Sequence, residues 1–399
     1  MTRRRKFFVF LLVVILLSQA PFAYRRYRLK RLRNTIQQLA AQRVADETPN
    51  DYVDYKGVIH VHTSLGGHSA GTFAELIDAA KANDLAFVIM TEHPQMDLDT
   101  AAMTLNGVHG GVLFINGNEV STADGDRLLL IPGSATANER HTTREFVDQQ
   151  HTNRGLAFAA YPSESQSWQS TAVDGVEVYN LFTNARQINR LVTFFDGLWS
   201  YRSYPDLMFA NFFTRPADNL ERWDDAERST NRRLVAIAGN DAHSNVGFGL
   251  SDSTGKQILG VKLDPYERSF RTVRTHVLIN KDKPLTRESL LEAVSLGHCY
   301  VSFDLFSDPT GFDFRVLQSD KMMGDETSFA KPPELMAKSP LATRFVLLRD
   351  GIPISQASAA TARFQVTSPG VYRIEAYLDS LPPPATGKPW IISNPIYIR

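Results

Sequence analysis

The sequence predicts an α/β protein with a smaller all-β domain behind it and a membrane helix in front. Three observations carry this reading. From Gly57 onward, short apolar runs of strand length alternate with stretches of helical periodicity, the pattern of a parallel sheet with βα connections. After about Val301, strand-like segments succeed one another with Gly and Pro turns between them. Ahead of both, the chain opens with TRRRK and the apolar run FFVFLLVVILL. At about 150 residues per domain, 399 residues allow two to three domains.

Composition narrows the classes. Lys+Arg 43 against Asp+Glu 43 gives a formal net charge of zero, which excludes a nucleic-acid binder that relies on a global basic field. Hydrophobic residues at 43% and charged ones at 22% suit a folded chain. The single cysteine, Cys299, excludes an intrachain disulfide framework and any multi-cysteine zinc finger. A metal would therefore have to be held by His, Asp and Glu. No P-loop or dinucleotide fingerprint occurs.

Softer residues extend the apolar run from Phe7 to Tyr24, long enough to span a bilayer, which needs roughly 17–25 residues. Ser18-Gln19-Ala20 resembles a signal-peptide exit, but Pro21 would follow the cut, so the expectation is an uncleaved single-pass anchor. Basic residues flank both ends, Arg3 to Lys6 before and Arg25 to Arg33 after, so the positive-inside rule gives no clear orientation. The expectation adopted is a cytoplasmic amino terminus with the body periplasmic or extracellular. The second basic cluster continues at helical spacing through Leu29, Leu32, Ile36 and Leu39 and reads as a juxtamembrane helix on anionic headgroups.

The body divides accordingly. Residues 1–50 form the anchor and juxtamembrane helix, 51–303 the α/β domain, and 304–399 a β-sandwich. In the α/β domain GVIHVH, LAFVIMTEH, VLFINGNEVST, LAFAAYP, GVEVYN and LVAIAGNDAH are strand-like, each ending in polar residues. TFAELIDAAKAND, TTREFVDQQHTN, ARQINRLVTFFDGL and ESLLEAVSLG are helical. Polar residues gathered at strand ends are where barrel-type α/β enzymes place their chemistry.

Five of the ten histidines occupy such ends. His60 and His62 close the first strand, where alternation puts residues i and i+2 on one side. His68 follows in the Gly-rich loop SLGGHSAG, Glu92-His93 ends the second strand, Glu119 the third, and Asp241-Ala242-His243 a late one. Imidazole and carboxylate together suit zinc, manganese or iron.

At these residues the chain resembles a known family. HVHTSLGGHSAGT, TEH, GNEVST, GVEVYN and AGNDAHS, in this order between about Tyr55 and Tyr300, are similar to the PHP (polymerase and histidinol phosphatase) superfamily. The ending WIISNPIYIR is similar to that of the CehA/McbA-like metallohydrolases. The resemblance implies a distorted (β/α)7 TIM-like barrel with up to three metal ions at the strand ends, and mostly phosphoesterase activity. It assigns His60, His62, Glu119 and Asp241 to a first ion and His68, His93 and His243 to a second. The remaining site shares Glu119 and normally adds two histidines; this chain has Asp126 and Tyr161 there. One or two divalent ions (Zn, Mn or Fe) are therefore expected, with Asp126 a candidate ligand to a third.

The expected function is a membrane-tethered metal-dependent hydrolase, a phosphoesterase acting on a small-molecule phosphoester through metal-activated water. Nucleic acid is left open as substrate. Asp241 would be ligand and proton acceptor, with His243 or His93 as general acid. Glu177 reads as a partner that orients a histidine, and Tyr161 as a hydrogen-bond donor or a packed side chain. Arg140 and Arg215 could clamp a phosphate, although solvated loop arginines are the plainer reading. His109, His141, His151, His276 and His298 fit no motif; Trp168, Trp199 and Trp223 line a cleft or simply pack. Cys299 reads as buried and non-nucleophilic. The alternatives are a catalytically weak metal-binding or recognition module, supported by the substitutions at Asp126 and Tyr161, and a hydrolase of non-phosphate esters or amides.

Overall fold

The computed structural model describes residues 2–44, 51–96, 98–133, 141–186, 189–245, 247–251 and 257–399. A 40-residue helix, α1 (Arg3–Gln42), leads into β1 (Tyr52–Val61), α2 (Phe73–Ala82), β2 (Phe87–Met90), α3 (Thr100–Met103), β3 (Gly107–His109), β4 (Val112–Ile115), β5 (Asn118–Ser121) and β6 (Arg127–Ile131). Then come α4 (Thr143–Thr152), β7 (Leu156–Ala160), β8 (Gly175–Asn180), α5 (Leu181–Arg186), α6 (Arg190–Ser200), α7 (Ala217–Thr230) and β9 (Val235–Ala242). Two of the helices begin where the sequence dictates. Thr72 with Glu75, and Thr142 with Glu145, form capping boxes that satisfy the first orphan amides of α2 and α4.

The large sheet closes on itself: β1 pairs in parallel with both β2 and β9, and a parallel bridge between Glu92 and Asn118 joins the β2 side to β5. β2 pairs in parallel with β4, and β7, β8 and β9 continue in parallel. The alternation is not regular, however. The single run VLFINGNEVST is split into β4 and β5, and β5, β6 and β7 pair antiparallel. The break comes from STADGDRLLL, whose Asp124-Gly125 turns the chain back as a hairpin, with Gly125 at φ 84°. Inside the ring Ile59, Ile89, Ile115, Phe158 and Ile237 form one buried cluster. Truncating Phe158 to alanine there would cost about 3–5 kcal/mol.

The ring is continuous with the carboxy-terminal strands. β10 (Gly247–Ser251) and β11 (Gln257–Lys262) first form a hairpin of their own. After α8 (Tyr266–Ser269), β12 (Arg274–Asn280) pairs antiparallel with β1. Beyond α9 (Arg287–Ser295), β13 (Cys299–Ser302) pairs with β12. The carboxy-terminal strands are β14 (Asp313–Val316), β15 (Glu326–Thr327), β16 (Glu334–Arg349), β17 (Ile352–Gln365), β18 (Gly370–Tyr377), β19 (Ile391–Ser393) and β20 (Ile396–Ile398). β13 pairs with β19, so hydrogen bonding runs unbroken past residue 303 into this region. ETSFAKPPELMAK, undecided by periodicity, contributes β15 and the start of β16 and no helix.

The amino-terminal helix divides in two. Phe7 to Leu17 are all exposed, and an 18-residue window of α1 has a mean hydropathy of 2.2 with none of it buried. It is long and apolar enough to cross a membrane. Its second half packs on the body through Leu29, Leu32 and Leu39. Part of the basic cluster is spent on the protein, since Arg25 pairs with Asp196 at 2.6 Å and Arg26 and Arg33 lie over the Tyr204 ring, while Lys30 and Arg31 stay exposed.

Candidate metal centre

His60 and His62 reach the same point by a different route from plain alternation. Ile59 faces the interior of the ring, while Val58 and Val61 both face the outer cluster under α2. Two outward residues three apart mean one extra residue in the strand. The pairing of β1 with β2 and with β9 indeed shifts register between Ile59 and Val61. Without that bulge His60 would point outward beside Val58; the bulge re-aims it inward. His60 accordingly sits at φ 66°, and Tyr161 and Asp241, at the ends of two other strands, sit at 51° and 49°. Such left-handed backbone costs of order 1–3 kcal/mol per non-glycine residue and persists where the surroundings impose it.

The imidazoles are presented alike. His60 Nδ1 lies 2.5 Å from Glu177 Oε1, His93 Nδ1 3.2 Å from the Glu119 carbonyl, His243 Nδ1 2.7 Å from the Asp241 carbonyl, and His68 Nδ1 3.4 Å from the Gly66 carbonyl. In each case the ring anchors one nitrogen on an acceptor and turns Nε2 towards the others, the arrangement that fixes the tautomer of a metal ligand. The Nε2 atoms of His60, His62 and His93 lie 3.2, 3.3 and 3.3 Å from one oxygen, Glu119 Oε2. Asp241 Oδ1 is 3.5 Å from His60 Nε2 and 3.4 Å from His62 Nε2. His68 Nε2 and His243 Nε2 face each other at 2.6 Å.

Burial and charge complete the picture. Burial alone would depress His60, but Glu177, Asp241 and Glu119 outweigh it and hold its pKa well above the ordinary histidine value. Burial pushes Glu177 upward, and we place the shared proton on His60 Nδ1, directed at Glu177. Glu119 and Asp241 are held low despite burial by His60 and His62. Burial and the neighbouring His62 push His243 down to about 4, and His93 falls to about 4 by burial, with His62, His68 and Arg127 adding to it against Glu119. Both are neutral at pH 7, the form in which imidazole binds a metal.

The residues fit a divalent ion. His62 is completely buried, and neither of its ring nitrogens makes a hydrogen bond, although two carboxylate oxygens stand within 3.4 Å of Nε2. A buried polar pair left so is costly, whereas a cation shared with those oxygens would satisfy it. His62 also belongs to both groups of donors able to hold an ion: His60, His62 and Glu119, and His62, His68 and His243.

The remaining candidates fall into place around this cluster. Asp126 is not brought to it: Thr143 Oγ1 donates to Oδ2 at 2.6 Å and the Ser165 hydroxyl donates to Oδ1. Tyr161 donates to Asp241 Oδ2 at 2.9 Å, and burial with that carboxylate raises its pKa, so it stays a phenol. Arg215 forks onto Glu375 at 2.8 and 2.6 Å and is not available to a substrate; Arg140 lies outside the described residues. Cys299 is buried and its thiol is pushed up to about 12 by burial. His276 is enclosed by Asp54 and Asp304, His298 pairs with Asp325 and His151 with Asp174, all apart from the centre.

Two contributors, Tyr266 and Arg127, escape motif reading, and Glu92, which the sequence shows only at a strand end beside His93, takes a role the motif does not reveal. Glu92 is buried and takes both the amide and the hydroxyl of Thr63, fixing the turn that follows His62. The Tyr266 hydroxyl donates to the His62 carbonyl at 2.5 Å. Arg127, 42% exposed, lies 3.6 Å from Glu119 Oε1 and is the cation nearest the centre among the described ion pairs. The Asp-Gly turn held the signal for Arg127, since the hairpin sets it opposite Ser121, on the face that carries Glu119.

No family model matches the chain, and no curated protein matches it. Among solved structures it is similar to a two-domain protein containing a predicted PHP-like metal-dependent phosphoesterase from Bacteroides vulgatus, at 14% identity and TM-score 0.40 over 88% of this chain and 98% of that one. It is also similar to PsfC from Pseudomonas syringae, at 14% identity and TM-score 0.38 over 63% and 92%. A third is the lesion-specific endonuclease PfuEndoQ from Pyrococcus furiosus, at 14% identity and TM-score 0.35 over 61% and 56%.

Proposed function

We propose that the chain is a metal-dependent hydrolase of the PHP superfamily, a phosphoesterase, tethered by α1 with its body outside the cytoplasm. The ring of strands is read as that family's distorted barrel and the carboxy-terminal strands as its sandwich appendage. The observation that carries the hydrolase reading is His62, buried with two unsatisfied ring nitrogens between two donor groups. Pro21, which would follow a cut after Ser18-Gln19-Ala20, supports an anchor over a cleaved leader.

His60, His62, Glu119 and Asp241 would hold one divalent ion, and His68 and His243 a second, with His62 within reach of both and His93 beside Glu119. Divalent cations bound to such a set supply Lewis acidity to an oxygen of the substrate. Glu177 keeps the His60 ring in the tautomer that offers Nε2. Tyr161 ties down Asp241 Oδ2 and leaves Oδ1 to face the histidines. Because His93 and His243 are neutral and Asp241 is a weak base, all three serve as ligands more readily than as proton carriers at neutral pH. Arg127 is the residue placed to meet an anionic group of the substrate.

Metal content per chain of the purified full-length protein, by elemental analysis, tests this reading. About two equivalents of zinc, manganese or iron, lost in His62→Ala and accompanied by phosphoester hydrolysis that Asp241→Ala abolishes, supports it. No bound metal after loading with each ion overturns it in favour of a non-catalytic module.

A further inference from the structure

Helix α6 lies against α1 where the apolar run ends. Trp199 Nε1 donates to Gln19 Oε1 at 3.0 Å, the Phe195 ring packs on Phe22 at 5.0 Å, and Asp196 receives Arg25. The adjoining side of α6 carries Leu191 (67% exposed), Phe194 (46%) and Leu198 (68%), at the i, i+3, i+7 spacing of one helical face. Asp196 is the one acidic residue of α6, and Arg25 neutralises it. Tyr24 and Tyr27 of α1 are exposed at the same level, together with Trp199, and Lys30 and Arg31 follow just beyond.

We propose that α6 is an interfacial helix. Its apolar face enters the headgroup boundary beside the span, so that α1 and α6 together seat the body on the bilayer. The proposal rests on reading α1 as a span, and three features select a lipid surface as the occupant. The helix that carries the face contacts α1 at Gln19, two residues after Phe7–Leu17, which is itself exposed. The contact residues Gln19, Phe22, Arg25 and Arg26 straddle the end of an apolar run whose eighteen positions rise about 27 Å, roughly the hydrocarbon thickness. Aromatic and basic side chains gather at that level, as they do at membrane–water boundaries.

The chain supplies its own probe. Of its four tryptophans Trp168, Trp223 and Trp390 are buried, and Trp199 is 37% exposed. The full-length protein would be reconstituted in phosphatidylcholine vesicles carrying brominated acyl chains. Quenching of tryptophan fluorescence that is lost in Trp199→Phe, and lost in Leu191→Glu/Leu198→Glu while near-ultraviolet circular dichroism is retained, is the expected result. Leu12→Trp in the Trp199→Phe background reports the span separately. Quenching there without quenching of Trp199 leaves the anchor standing and overturns the interfacial helix. Absence of both overturns the anchor reading, and the proposal with it. Rapid disulfide dimerisation of Leu198→Cys with no quenching of Trp199 would instead assign the face to a second copy, since the native thiol is buried.

Discussion

His60 Nδ1 and Glu177 Oε1 stand 2.5 Å apart with neither side chain exposed, and the room for that contact is made by Gly239 on the neighbouring strand. A Cβ at position 239 would lie 1.5 Å from Glu177 Oε1. Three strands thus cooperate to fix one imidazole. β1 supplies the bulged histidine, β8 the carboxylate, and β9 a residue with no side chain to obstruct it.

Glu177→Gln is expected to lower metal affinity by about 10–100-fold, the usual cost of losing the charged partner of a liganding histidine. Gly239→Ala should do at least as much, because it expels the carboxylate. If both act through the same contact they will not add: Gly239→Ala/Glu177→Ala should bind metal no worse than Glu177→Ala alone. Isothermal titration of the metal-stripped protein checks both statements, and additive losses would refute the shared cause.

Asp126 and His62 separate by the same assay. Asp126→Ala should leave metal content intact and cost about 1–3 kcal/mol of stability, since Thr143 and Ser165 lose a buried acceptor. His62→Ala should empty both donor groups. A loss of metal in Asp126→Ala would restore Asp126 as a ligand and displace the hydroxyl contacts as its role.

Arg127 and Arg215 should respond oppositely to truncation. Arg127→Ala should raise KM for a phosphoester about tenfold, equivalent to roughly 1.4 kcal/mol of substrate binding, with kcat little changed. Arg215→Ala should leave KM alone and reduce stability by about 1 kcal/mol, because Glu375 keeps Arg373 at 2.6 Å. Steady-state kinetics beside thermal melting distinguishes the two.

How much of the fold and the centre was legible in the sequence depends on the range of the signal. GVEVYN is strand β8 residue for residue, and the runs ending in His62, His93 and His243 are strands, because apolar periodicity is local. The gathering of their histidines follows from strand ends meeting in one closed ring. Periodicity could not show the bulge at His60, which depends on how β1 registers against two neighbours. It equally could not show that the turn over Ala123–Gly125 sets Asp126 against the hydroxyls of Thr143 and Ser165. Nor could it show that Arg25, Arg26 and Arg33 are taken up by the body, since their partners Asp196 and Tyr204 lie more than 160 residues away.

The last expectation concerns pH. His276 is completely buried between Asp54 at 2.8 Å and Asp304 at 3.3 Å; Tyr300 also donates to Asp54 at 2.6 Å, and Arg274 pairs with Asp304 at 3.0 Å. Burial opposes its protonation, but the two carboxylates prevail and raise its pKa to about 10. The folded pKa thus exceeds the unfolded value of about 6.5. The stabilisation is therefore complete below about 6.5 and is lost as pH rises towards 10. Glu227, pushed up to about 8 by burial, acts with the same sign over a lower window, from its unfolded value of about 4.3 to about 8, because folding favours its protonated form. The Tm should fall between pH 7 and pH 9.5 in Glu227→Gln, and fall less in Glu227→Gln/His276→Gln, because His60, held above its ordinary value, and Lys388, pushed down to about 8 by burial and so of opposite sign, titrate alike in both. Equal falls in the two variants would refute a charged His276 as the bond between β1, β12 and the segment that carries Asp304.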